Sequence, residues 1–185
     1  GDILPDDTAR RIVDLYRAVH GNVMDLHRYC NDVILPDIAQ GCSLLPVDRH
    51  AWAITSNEGY GTAAQPGVKY HNLRQELMMR DGRQEMTWVY TMGREKVKIY
   101  GGKVVENLCQ YLAGRIVMWQ TARFNQRYPV ALSVHDEVVC VVRDDQLMEA
   151  QAYLEECLSL APPWCRGTIP LACETDFGQS YGDAK

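Results

Sequence analysis

The chain has 185 residues, 46% of them hydrophobic, enough for a sizeable core and too many for a disordered segment. Its formal net charge of −5 argues against a simple basic nucleic-acid-binding module, while leaving open a cleft whose positive charge comes from metal ions. No apolar run reaches the ~18 residues of a membrane span, and no secretory signal is visible.

Residues 7–20 read as a helix, with Ile12, Leu15, Tyr16 and Val19 at helical spacing and Asp6 or Asp7 to cap its start. A second helix follows over about 22–39, its apolar face made by Val23, Leu26, Tyr29, Cys30, Val33 and Ile34, with Pro36 placed to end or kink it. Residues 41–66 are rich in Gly, Ser, Asn and Pro and read as a long irregular connection. Strands are expected over 67–75 and 85–91, joined by the Arg-Asp-Gly-Arg turn at 80–83, with a short strand at 95–100. A long helix is expected over 102–125, a hairpin over 130–142, an acidic helix over 144–159, a break at Pro162-Pro163 and a last strand over 169–174. This order implies an α+β fold, with antiparallel β-hairpins packed against several α-helices.

Seven cysteines, an odd number without a C-x-x-C pair, argue for reduced thiols in a cytoplasmic protein rather than a disulfide framework or a zinc site. Four bases, Arg94, Lys96, Lys98 and Lys103, fall within ten residues, and a solvated strand face accounts for them as well as a binding surface does.

The chemistry concentrates at Val134-His135-Asp136-Glu137, where two apolar β-prone runs meet. Charge beside a buried hairpin needs compensation, and a divalent cation with its preference for oxygen ligands supplies it. Two-metal phosphoryl chemistry requires carboxylates clustered on a rigid support, holding cations about 3.5–4 Å apart. The long helix carries Val105, Leu108, Leu112, Ile116 and Trp119 as an apolar stripe, and Lys103, Asn107, Gln110 and Gly114 along another, bordered by Glu106. Amides beside a small residue suit a closely approaching acceptor-rich partner such as a duplex minor groove, whose acceptors recur in every base pair.

V-H-D-E between two apolar strands resembles motif C of family A DNA polymerases, the polymerase I-like family. The preceding I-Y-G-G-K-V-V-E-N-L-C-Q-Y-L-A at 99–113 resembles the Y-G-G-K helix of its phage-type members. Arg10, Val13, Tyr16 and Arg17 resemble the helix just after the fingers, and V-K-Y-H-N-L-R at 68–74 and F-G-Q-S-Y-G-D-A-K at 177–185 also fit. The resemblance spans most of the chain in the family's order.

It implies that Asp136 ligates the catalytic magnesium or manganese ions, with Glu137 as a supporting acid. It places His135 at the primer terminus and Gln110 on the minor groove, with Lys103 and Asn107 on the same duplex-facing stripe. Primer-template DNA and a dNTP are the implied partners, without a membrane, in a bacterial or phage-infected cell. A second metal-binding aspartate belongs to a D-Y-S-x-x-E-like motif A strand, and the sequence holds no such segment. Arg94, Lys98 and Tyr100-Gly101 mimic the fingers motif B, but Lys98 and Tyr100 stand too close together.

The resemblance therefore implies a single domain over 1–185, the C-terminal palm portion of a larger polymerase. Residues 1–40 would be the helical segment following the fingers, and 100–185 the palm core with the motif C hairpin. Independently of the resemblance, a start at Gly1 without a Met suggests a cut chain carrying a tag remnant. Alone, such a piece is expected to be inactive, and its hairpin edge either pairs with a second copy or is covered by the N-terminal helices or the 41–66 segment. Two other classes remain: another metal-dependent phosphodiesterase using Asp136 and Glu137, and a non-catalytic duplex-binding or assembly module.

Overall fold

A computed structural model describes residues 6–40, 43–47, 50–54, 68–80, 82–165 and 169–184. It is a mixed α+β structure with small antiparallel sheets, in two compact units, residues 1–109 and 110–185.

The first unit opens with α1 (Asp6–Val19) and α2 (Gly21–Tyr29), close to the expected helices. His20 interrupts them at φ −103°, ψ 45°. Ile12, Leu15, Tyr16 and Val19 do share a face of α1, but all four are exposed. After α2 the chain widens into a π-helical turn, Cys30–Ile34, and then resumes as α3 (Leu35–Ala39). Pro36 neither ends the helix nor follows a clean α-helical turn. It has no N–H to offer the preceding turn, and the Leu35 N–H instead reaches back to the Cys30 carbonyl, five residues away.

Residues 41–66, expected to be irregular, include an antiparallel pair, β1 (Ser43–Val47) and β2 (His50–Ile54). The rest of that stretch, apart from these strands, lies outside the described residues. A three-stranded meander follows: β3 (His71–Arg80), β4 (Arg83–Met92) and β5 (Glu95–Ile99), in the order β3-β4-β5. Arg80 pairs with Arg83, and Gly82 takes φ 78°, as a two-residue hairpin turn requires. The strand expected at 67–75 starts later, at His71, and a bulge between His71 and Arg74 leaves Asn72 at φ 53°. Among the described residues, Cys30, Ile34, Leu35, Ile38, Tyr70, Leu73, Val89, Ile99, Val104 and Leu108 are the buried apolar side chains of this unit.

Helix α4 (Gly101–Phe124) begins against α2. A Cβ on Gly101 would lie 1.7 Å from the His27 carbonyl oxygen, so only glycine permits this approach. The Tyr-Gly-Gly-Lys sequence is thus first of all a packing device. Along α4 the most buried positions are Val104, Leu108, Ile116, Gln120 and Phe124, a line advancing in fours. Leu108 and Ile116 of the expected stripe are on it, with half-buried Leu112 between them, while Val105 and Trp119 are half-buried beside it.

The second unit holds the end of α4, the hairpin β6 (Val130–Val134) and β7 (Glu137–Cys140), and α5 (Leu147–Ser159). Its core gathers Phe124, Tyr128, Ala150 and Cys157, with Val130, Val138, Cys140, Val142, Tyr153 and Leu154 packed against them. Phe124 and Tyr128 stack at 5.6 Å, and the Arg127 guanidinium lies 5.4 Å from both the Tyr128 and Tyr153 rings.

The strand expected over 169–174 does not form. Pro170 cannot donate to a ladder, and the segment is instead tied to α5 by side chains. Gln151 Nε2 donates to Thr175 Oγ1 at 3.0 Å, Thr175 donates to the Glu155 carboxylate, and the Cys173 thiol lies 3.7 Å from the Glu155 carbonyl. Among the described cysteines all are free thiols, with Cys30, Cys157 and Cys165 buried. No helix among the described residues is long and apolar enough to cross a membrane.

Candidate active site

The four motif residues form the tip of the β6–β7 hairpin. Val134 pairs with Glu137, so His135 and Asp136 are the two residues of the turn. His135 takes φ 54°, a left-handed conformation that costs a non-glycine residue of the order of 1 kcal/mol and is met in tight hairpin turns. The pairing continues through Ser133–Val138 and Leu132–Val139, and a bulge before Leu132 shifts the register to Val130–Cys140.

The sequence suggested charge desolvated beside a buried hairpin, and the structure corrects this. His135, Asp136 and Glu137 are all exposed, as are Leu132 at 45% and Val134 at 37%. The hairpin meets the core through Val130 and Cys140 at its base and through Val138 along β7. The two-stranded sheet leaves both carboxylates exposed at its tip, so they are not desolvated there.

One partner of the motif was not legible beforehand. The Tyr181 hydroxyl donates to Glu137 Oε2 at 2.5 Å. This bond to a carboxylate favours the protonated phenol and holds the Tyr181 pKa above its ordinary value. Nothing in the local sequence at 177–185 indicates that its tyrosine returns to the hairpin.

The polar residues of α4 separate by environment. Lys103 Nζ pairs with Glu106 Oε1 at 2.7 Å, and that bond raises the lysine pKa. Asn107 Nδ2 donates to the Tyr70 hydroxyl at 3.0 Å. Gln110 is exposed, and Gly114 has open space where a Cβ would stand. Lys103 and Asn107 belong to the first unit, and Gln110, His135, Asp136 and Glu137 to the second. Gln120, unremarked in the sequence, is 4% exposed and donates from Nε2 to the Leu158 and Leu160 carbonyls at 2.6 and 2.9 Å. It thereby caps the C-terminal end of α5, whose last carbonyls have no helical partner.

The bases around 94–103 divide likewise. Lys96 Nζ lies 3.0 Å from Glu76 Oε2, and Arg74 pairs with the same carboxylate, so this pair of cations holds the Glu76 pKa low. Arg94 precedes β5 and Lys98 lies within it, so the superficial match to a fingers helix falls on a turn and a strand.

As cation ligands, Asp136 and Glu137 have suitable chemistry: hard oxygens at adjacent positions on a fixed turn. Their number falls short. Among the described residues, no group of three or more His, Cys, Asp or Glu side chains could hold a metal ion. No family of known proteins, no curated protein and no solved structure matches the chain.

Proposed function

We propose that the chain is the C-terminal palm portion of a family A, phage-type DNA polymerase, contributing to template-directed nucleotidyl transfer in a longer protein. The observation that carries this reading is the position of Val-His-Asp-Glu at the two-residue tip of an antiparallel hairpin, reached from the Tyr-Gly-Gly-Lys helix by a short turn. Sequence order and local structure agree there, and the exposed tip leaves Asp136 accessible to a cation and a substrate.

In that role a primer 3′-hydroxyl attacks the α-phosphate of a dNTP and pyrophosphate leaves. Bound magnesium or manganese would supply charge stabilisation to the transferring group. Asp136 would hold it, with Glu137 in support and a further aspartate coming from a motif A strand outside this sequence. His135 would meet the primer terminus, and Gln110 would donate to minor-groove acceptors without reading sequence. The α+β hairpin architecture is compatible with a partial palm.

The test is direct. The reading frame upstream should encode D-Y-S-x-x-E followed by R-x-x-x-K and Y-G, and the chain extended to include them should incorporate dNTPs on a primed template. The 185-residue chain alone should not. Templated incorporation by this chain alone, or an upstream frame without those motifs, would overturn the reading.

A further inference from the structure

The C-terminal segment makes a contact that the polymerase reading does not use. From Cys173 to Thr175 it is fastened to α5 through Glu155 and Gln151. Beyond that it closes on itself: Asp183 N–H donates to the Ser180 carbonyl at 3.0 Å, and Ser180 Oγ donates to Asp183 Oδ2 at 2.6 Å. Gly178 lets the strands of this turn meet, since a Cβ there would lie 2.6 Å from the Asp183 Cβ. Tyr181 sits within the closed turn and reaches Glu137, 44 residues earlier. Glu137 in turn has its backbone fixed by pairing with Val134.

We infer that Tyr181 is a positioning residue for Glu137: the closed C-terminal turn is a strap that holds one carboxylate oxygen and so orients this side chain at the hairpin tip. A glutamate side chain on an exposed turn samples several rotamers, and a phenol anchored from a second element selects among them. The role of Glu137 as a supporting acid rests on the polymerase reading. Its orientation by Tyr181 does not.

The experiment uses the whole 185-residue chain with carboxylate-labelled Glu and Asp, comparing it with Tyr181→Phe. The variant keeps the ring and removes only the O–H, at a position 43% exposed, so the fold is retained, and unchanged α5 amide signals verify this. The Glu137 carboxylate carbon should shift and its side chain become more mobile, while the Asp136 carbon stays in place. Amides of 178–184 should exchange several-fold faster, and Glu137→Ala, which removes the acceptor, should produce the same acceleration without adding to it in the double variant. An unmoved Glu137 signal, or additive effects of the two substitutions, would overturn the inference.

Discussion

Asn107 donates from its side-chain amide to the Tyr70 hydroxyl at 3.0 Å, joining the start of α4 to the residue just before β3. Tyr70 is 1% exposed and meets the Tyr90 ring edge-on at 5.2 Å. The amide therefore satisfies a phenol that would otherwise be buried with no partner shown for its oxygen. On α4 the glycine pair at its start, the Asn107–Tyr70 bond and the Gln120 cap show the helix used as a scaffold along most of its length.

Burial pushes the Tyr70 pKa up to about 12, with the Asn107 bond acting the other way. A phenol whose folded pKa is raised stabilises the fold fully below its ordinary pKa near 10, and loses that contribution as pH rises through about 12. Up to roughly 3 kcal/mol should be lost across this window, about 1.4 kcal/mol per pH unit. Tyr70→Phe should cost about 1 kcal/mol at neutral pH, from the lost hydrogen bond, and should flatten the alkaline fall. Urea denaturation at a series of pH values between 8 and 12 (about this range, set by the window above) measures both effects.

Gln120 offers a sharper test of buried polarity. Gln120→Met keeps the volume and removes the donor shared by the Leu158 and Leu160 carbonyls, at a cost of about 2–3 kcal/mol. Gln120→Glu should cost more at neutral pH, because a carboxylate would then face two carbonyl oxygens. That excess should shrink as pH falls toward about 4, the ordinary range of a glutamate, because the carboxyl facing two carbonyls regains its donor proton above that range. Equal costs for the two variants at neutral pH would show that the amide donor is not the stabilising group.

These relationships explain what could be read in advance. Periodicity located α1, α4, α5 and the β6–β7 hairpin, because each carries its own apolar pattern. It could not reveal Gln120 as a core residue, since an amide in a stripe looks like an interruption until two helix-end carbonyls stand opposite it. The β1–β2 pair was hidden by Pro46 and the glycine- and serine-rich surroundings. The terminal segment looked like a strand from its apolar residues, but side-chain bonds to α5 took the place of a ladder. At the site, four consecutive residues between apolar runs made the turn legible. Tyr181 was not, because a contact across 44 residues leaves no local pattern.

Gly101 and Gly114 of α4 should respond oppositely to alanine. Gly101→Ala drives a methyl into the His27 carbonyl and the Asn31 nitrogen, both backbone atoms that cannot step aside. The cost should be at least the 1–3 kcal/mol, roughly, of an overpacked core, and α4 should shift at its start. Gly114→Ala meets nothing within 4 Å in a helix interior, and should stabilise the chain by about 0.5–1 kcal/mol. Thermal unfolding of the two variants should move in opposite directions.

The last prediction concerns the turn itself, in the longer polymerase that the proposed function requires. Asp136→Asn exchanges a charged cation ligand for a neutral amide of the same shape on a turn whose backbone does not change. Chemistry should fall by orders of magnitude, as when electrostatic stabilisation of a transferring group is lost. Primer-template affinity should hold within a few-fold, because Gln110 and the other duplex-facing groups are untouched. Glu137→Gln should be milder, since it keeps a side chain that Tyr181 can still hold by donating to the amide oxygen. Single-turnover incorporation at saturating DNA separates these effects from binding. If Asp136→Asn kept most of its turnover while Glu137→Gln lost it, the two adjacent acids would have exchanged roles, and the cation would belong to the residue that Tyr181 holds.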